Sequence, residues 1–256
     1  MVVIAIANQK GGVGKTTTAV TLASGFAQKG KRTLIIDLDP QGHVAISFGT
    51  EKNPALYRWI VMKEPLKKVV SPARNNLDVV YSNSQTELVK RHLTLLDYRE
   101  QVLSDLLKSS NYDFIFLDLA PSLDILHING LVASDWVIIP TRMDALSLDG
   151  VKEVLIKMNE ITNNGHSYSG YRILPTFFER STNETMTQFK TLIQSFGENL
   201  LPPIAQDTQV REASAFGKTL WEYCPKSKAV DGYQDGKNKK GGYKQVVERL
   251  WEVING

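Results

Sequence analysis

The feature that most constrains this chain is a glycine-rich turn between two apolar segments near its start. Val2-Val3-Ile4-Ala5-Ile6-Ala7 is a short apolar run, and Gly11-Gly12-Val13-Gly14-Lys15-Thr16-Thr17 follows it, preceded by Lys10. From residue 16 to residue 28 the apolar positions recur at helical spacing. A strand, a glycine turn and a helix in that order build a cradle for phosphate. Glycines let backbone N–H groups turn inward around phosphate oxygens, and the helix start adds positive potential. Lys15 is placed to reach β- and γ-phosphates, and the Thr16 hydroxyl to ligate Mg²⁺. The common pattern G-x-x-x-x-G-K-[ST] is not met to the letter: its first glycine would fall on Gln9. The Gly-Lys-Thr end is intact. Lys10 is the odd feature, because one lysine already serves the loop. A second makes sense if it reaches a phosphate bound elsewhere, such as that of a partner subunit.

Further apolar runs lie at residues 34–36, 77–80, 114–117, 136–139 and 173–174, with helical patterns between them, for example 98–107 and 148–161. This alternation predicts an α/β fold: one domain over residues 1–256, a mostly parallel twisted sheet with helices on both faces. Nucleotide is expected beyond the carboxyl ends of its strands. At 42% hydrophobic and 22% charged residues, the composition excludes whole-chain disorder. Cys224 is the sole cysteine, which excludes an internal disulfide and a cysteine cluster within one chain. No basic region precedes Val2 and no apolar run is long enough to span a bilayer, so a soluble, cytoplasmic protein is expected. The net charge of +3 does not by itself identify a nucleic-acid binder.

Residues 231–242 are rich in glycine and lysine and read as a mobile surface loop. Beyond them Val246, Val247, Leu250, Trp251, Val253 and Ile254 repeat at helical spacing. Lys244 and Arg249 are balanced by Glu248 and Glu252, so this helix is expected to pack on the core and not on a membrane. His43, His92, His127 and His166 show no metal-ligand spacing.

The run from Lys10 to Thr17 resembles the variant phosphate loop of the ParA/MinD family of dimerising ATPases. Asp37-Leu38-Asp39-Pro40-Gln41-Gly42 resembles that family's first switch. Residues 114–118, with Ala120-Pro121-Ser122-Leu123, resemble its magnesium-side strand and second switch. Residues 211–218 and 223–228 resemble the C-terminal signature of ParA proteins. The resemblance therefore covers nearly the whole chain.

It implies a P-loop NTPase domain that hydrolyses ATP with Mg²⁺. Lys10 would cross to the partner's nucleotide, Lys15 would hold the β- and γ-phosphates, and Asp39 would orient the attacking water. Gly11, Gly12, Val13, Gly14, Thr16 and Thr17 would line the phosphates. Thr16 and Asp118 would serve the metal, and Ser122 would both cap the following helix and act in the switch. Thr176, Phe177 and Asp207 would meet the base, although relatives often carry Pro-Arg-Asn where this chain has Ala205, Gln206 and Asp207.

Non-specific DNA binding by the ATP-bound homodimer is implied, with Arg211, Lys218, Lys226 and Lys228 as candidate contacts. Residues 180–228 hold six Lys or Arg against five Asp or Glu, so a basic patch must come from folding. The implied role is DNA partition, with a ParB-like adaptor that stimulates hydrolysis and a nucleoid-associated location. The resemblance starts at the phosphate-loop strand, which implies no N-terminal helix-turn-helix domain. Positioning of a protein cargo with a McdB-like adaptor, as for carboxysomes, is the alternative. A MinD-like membrane ATPase is disfavoured by the charge-balanced tail, and no stable membrane association is expected. A nitrogenase-type iron protein is disfavoured by the lone cysteine.

Overall fold

All six apolar runs become strands of one sheet in a computed structural model, which describes residues 1–144 and 147–256. The seven strands are β1 (Val2–Ile6), β2 (Thr33–Asp37), β3 (Ser71–Arg74), β4 (Leu77–Val80), β5 (Phe114–Asp118), β6 (Trp136–Arg142) and β7 (Gly170–Thr176). Their order is β3-β4-β2-β5-β1-β6-β7. Every neighbouring pair is parallel except β3 with β4. The sequence left β3 unmarked because Ser71-Pro72-Ala73-Arg74 carries no apolar run. Pro72 donates no ladder hydrogen bond and suits such an edge.

Both faces of the sheet are covered, which is why its strands read as continuous apolar runs. Ile4 and Ile6 of β1 face the helix α1 (Lys15–Gln28) and the C-terminal helix Gly242–Asn255, packing with Leu22, Phe26, Val246 and Leu250. Val3 and Ala5 face the other way, toward Leu103, Val151 and Val154. The C-terminal helix thus buries its apolar side in the core, as its spacing predicts. Gly25 lets it approach α1 closely: a Cβ there would stand 2.7 Å from Val247. The helical pattern at 98–107 yields only Val102–Leu107, because Tyr98 adopts a positive φ of 51°.

The expectation of a mobile loop at 231–242 is corrected. These residues form an antiparallel hairpin of β8 (Tyr233–Asp235) and β9 (Asn238–Lys240). Three of its glycines, Gly232, Gly241 and Gly242, serve close backbone contact. A Cβ on Gly241 would lie 2.2 Å from the Pro203 carbonyl oxygen, and one on Gly232 would lie 2.7 Å from that of Lys240. Gly242 N–H donates to the same Pro203 oxygen at 2.9 Å. Among the described residues, no helix is long and apolar enough to cross a membrane.

Candidate nucleotide site

The parallel register brings the predicted residues to one edge of the sheet. Asp118, the last residue of β5, pairs with Asp37 of β2 on one side and Ile6 of β1 on the other. The glycine turn springs from the end of β1, with Gly12 at φ 72° and Gly14 at φ 91°. Both are left-handed conformations that glycine adopts without strain. Asn8 anchors the turn from below: its amide donates to the Pro140 carbonyl at 2.8 Å, and its Oδ1 accepts from Lys10 N–H at 2.9 Å. The Thr176 hydroxyl donates to the Val13 carbonyl at 2.9 Å and clamps the other side. Lys15 is only 8% exposed, and its ammonium donates to the Lys10 carbonyl at 3.0 Å. Burial holds its pKa below the ordinary lysine value, against the raising influence of Asp118 and Asp39.

Asp118 is buried, and neither carboxylate oxygen makes a well-formed hydrogen bond, although the Thr16 hydroxyl is near enough to favour its charged form. Burial pushes its pKa up to about 7; Thr16 and Lys15 oppose the shift and Asp39 adds to it. A buried carboxylate with both oxygens unsatisfied is what a hard divalent cation would complete. A hydroxyl and a carboxylate are suitable donors for Mg²⁺, which is commonly held by one or two carboxylates with phosphates and water. Thr16 and Asp118 therefore fit the metal implied by the sequence.

Asp37, which had no assigned role, supports the first switch. It accepts the Asp39 N–H at 3.0 Å and the Val44 N–H at 3.3 Å. Its pKa is raised well above the usual carboxylate range by burial and by Asp118. Asp39 lies nearer the surface. Its Oδ1 accepts the Gln41 N–H at 2.9 Å, and its carbonyl accepts the Ser82 hydroxyl at 2.6 Å. It thus opens a turn as well as standing over the site. In the second switch, the helix Ile125–Val132 is capped by Asp124, not by Ser122 as expected. Asp124 accepts the Leu126 and His127 N–H groups, and the Ser122 hydroxyl donates to Asp124 at 2.7 Å. Lys90 pairs with the same carboxylate at 2.8 Å.

Lys10 has its backbone in the loop but its ammonium elsewhere. It donates to both oxygens of Asp144 at 2.8 Å. Arg142 lies 3.8 Å from the same carboxylate and stacks its guanidinium 4.6 Å from the Phe177 ring centroid. Phe177, Thr176, Gly14, Thr17 and Asp207 line a cleft of about 290 Å³ beside the glycine turn. Both oxygens of Asp207 are engaged, by Gln209 N–H at 3.1 Å and Ala229 N–H at 3.3 Å. These bonds fix the Asp207 side chain at the edge of the cleft. Sequence reasoning did not single out Asn8, Arg142, Asp144 or Tyr243, which also lines the cleft and bonds Thr18 at 3.0 Å. Asn8 adjoins the motif and could have been found there; the others reach the site only through the fold.

Arg211, Lys218, Lys226 and Lys228 are all exposed, and none takes part in an ion pair among the described residues. Only Arg211 borders the cleft. Its segment meets the turn after the helix His43–Ser47 through glycine: a Cβ on Gly217 would lie 2.3 Å from the Gly49 Cα. Among the described residues, no group of three or more His, Cys, Asp or Glu could hold a metal ion.

The family model described as AAA domain matches residues 1–201. The chromosome-partitioning ATPase Soj of Thermus thermophilus is 33% identical over 235 residues, covering 90% of this chain and 92% of that protein. McdA from Cyanothece, solved in complex with ATP, has a TM-score of 0.83 at 20% identity, covering 100% of this chain and 96% of its own. Cobyrinic acid a,c-diamide synthase from Mycobacterium smegmatis, solved with an ATP analogue and magnesium, has a TM-score of 0.74 at 25% identity. That match covers 85% of this chain and 93% of the synthase chain.

Proposed function

The chain belongs to the ParA/MinD family of AAA domains, and on that premise we propose that it is an ATP-driven dimerising switch for DNA partition. The observation that carries this reading is the split between the two loop lysines. Lys15 is buried on its own loop, whereas Lys10 stands at the rim, 31% exposed, and turns its ammonium away to Asp144. A cation held there by one half-exposed carboxylate can be released to a phosphate on a facing protomer.

ATP would lie along the glycine turn, with backbone N–H groups of residues 11–17 and Lys15 on its phosphates and its base in the cleft at Thr176 and Phe177. Thr16 and Asp118 would hold Mg²⁺, which supplies neutralisation of charge on the transferring phosphoryl group. Asp39 orients the attacking water. Lys10 leaves Asp144 and stabilises charge on the partner's nucleotide. Phosphoryl transfer needs such positioning and charge stabilisation more than covalent chemistry.

The ATP-bound homodimer binds DNA without sequence preference and is released when a ParB-like adaptor stimulates hydrolysis. The protein works in the cytoplasm, on the nucleoid. The likeness to a chromosome-partitioning ATPase over nine-tenths of the chain supports DNA as the cargo. The same engine would serve a protein cargo with a McdB-like adaptor. The buried apolar side of the C-terminal helix argues against a MinD-like membrane role. Capture of the adaptor from native cells by ATP-loaded protein tests the choice. An adaptor that binds a DNA site supports partition, and one that binds a protein compartment overturns it.

A further inference from the structure

The hairpin formed by β8 and β9 is absorbed by none of the chemistry above, yet it is a built feature. Gly232, Gly236, Gly241 and Gly242 all have positive φ, and three of them sit against backbone atoms at under 3 Å from where a Cβ would be. Tyr233 anchors its inner side, with its ring centroid 5.2 Å from that of Phe178. Lys239, opposite Gln234, faces away from Tyr233, Lys240 shares the Tyr233 side, and Gln234 and residues 236–240 are all exposed.

The charges there are ordered. Asp231 is shared by Lys239 and by Lys244, the latter at 3.6 Å. Asp235 is shared by Arg180 at 2.5 Å and Lys240 at 2.5 Å. Two carboxylates therefore hold four cations in place, and Lys237 takes part in no ion pair among the described residues. These seven side chains, from the hairpin and from the flanking Arg180, Asp231 and Lys244, leave a surplus of three positive charges. Across the adjoining groove, Glu248 pairs with Lys29 and Glu252 with Arg249.

We infer that this hairpin is a docking surface for the phosphate backbone of duplex DNA, extending the candidate contacts at Lys226 and Lys228 along the chain. The inference rests on the proposed DNA-binding role and places part of that interface on an element with no assigned function. Phosphate contacts require cations at a surface and no base-specific groups. A membrane surface would need apolar side chains to insert, and the exposed residues of the hairpin offer none. A protein partner would need an aromatic or aliphatic anchor there, which is likewise missing.

The test is the triple variant Lys237→Gln, Lys239→Gln, Lys240→Gln in the full chain, with Mg²⁺ and a non-hydrolysable ATP analogue. DNA affinity is measured against salt, alongside binding to vesicles of anionic phospholipid. DNA affinity should fall at least about tenfold, and the log–log salt slope should become shallower by about 0.9 for each phosphate that the glutamines fail to neutralise. Nucleotide affinity and thermal midpoint should be unchanged, and the triple Lys→Arg variant should bind DNA as the wild type does. Wild-type binding with equal affinity and slope in the Gln variant overturns the inference alone. Wild-type protein that ignores DNA overturns both the inference and the role it rests on. Loss of vesicle binding in place of DNA binding assigns the surface to lipid and overturns the inference.

Discussion

The chain has two segments rich in glycine and lysine, and they use those residues for opposite ends. In the phosphate loop, Gly12 has nothing within 4 Å of where its Cβ would be, and Gly14 has only a Thr176 methyl at 4.0 Å. These glycines bend the backbone and keep space clear. In the hairpin, Gly241 has a carbonyl oxygen at 2.2 Å and Gly242 a backbone nitrogen at 2.5 Å. Those glycines let chain pack on chain. The lysines divide likewise: Lys15 is buried with a lowered pKa, whereas Lys237, Lys239 and Lys240 are exposed. Composition is shared; the surroundings decide whether a segment makes a ligand cradle or a presented surface.

The largest expected effect that can break this comparison is on nucleotide binding. Lys15→Ala should weaken ATP affinity at least about 100-fold, because charge-assisted hydrogen bonds to phosphate are each worth roughly 1.5–3 kcal/mol. Lys239→Ala should leave it unchanged. Fluorescent-nucleotide titration of both variants decides; equal losses would erase the distinction.

Stability comes next. Gly241→Ala places a methyl against a backbone oxygen at positive φ, and should cost about 2–4 kcal/mol in urea unfolding. Gly11→Ala has open space and no positive φ, and should stay within about 0.5 kcal/mol. A tolerant Gly241 would restore the loop as a mobile tether.

A pH series sharpens the cradle side. Asp118 titrates near about 4 in an unfolded chain and at about 7 in the fold. Between these values the folded state keeps a proton that the unfolded state releases, so stability falls as pH rises. Wild-type protein should therefore lose stability relative to Asp118→Asn from pH 5 to pH 8 in nucleotide-free urea melts. A constant difference would mean that Asp118 is not held protonated. The smallest effect belongs to Asp144→Asn, which removes a half-exposed ion pair worth about 0.2–1 kcal/mol. ATP-dependent dimerisation should strengthen by up to about fivefold, measured by sedimentation; weaker dimerisation would make Asp144 a supporting partner in the dimer.

Much of the cradle was legible because its chemistry is local. Residues 10–17 are contiguous, and the strand runs before Asp37 and Asp118 are apolar on both faces. Asp144 was hidden because it is 134 residues from the lysine it binds, and the fold joins them through the β1–β6 pairing. The hairpin misled for a physical reason. Glycine marks both freedom and crowding, and one sequence does not tell them apart. Asp207 lies in the cleft as read, but its ties to Gln209 and Ala229 N–H groups were hidden because they form only in the fold.

The central claim is that Lys10 leaves Asp144 to act on a partner's nucleotide. The most direct measurement is the mass in solution of wild-type and Lys10→Ala protein, with Mg²⁺ and a non-hydrolysable ATP analogue. The account predicts that the wild type doubles its mass and that Lys10→Ala binds the nucleotide but stays monomeric. A Lys10→Ala protein that doubles its mass as readily as the wild type would contradict it.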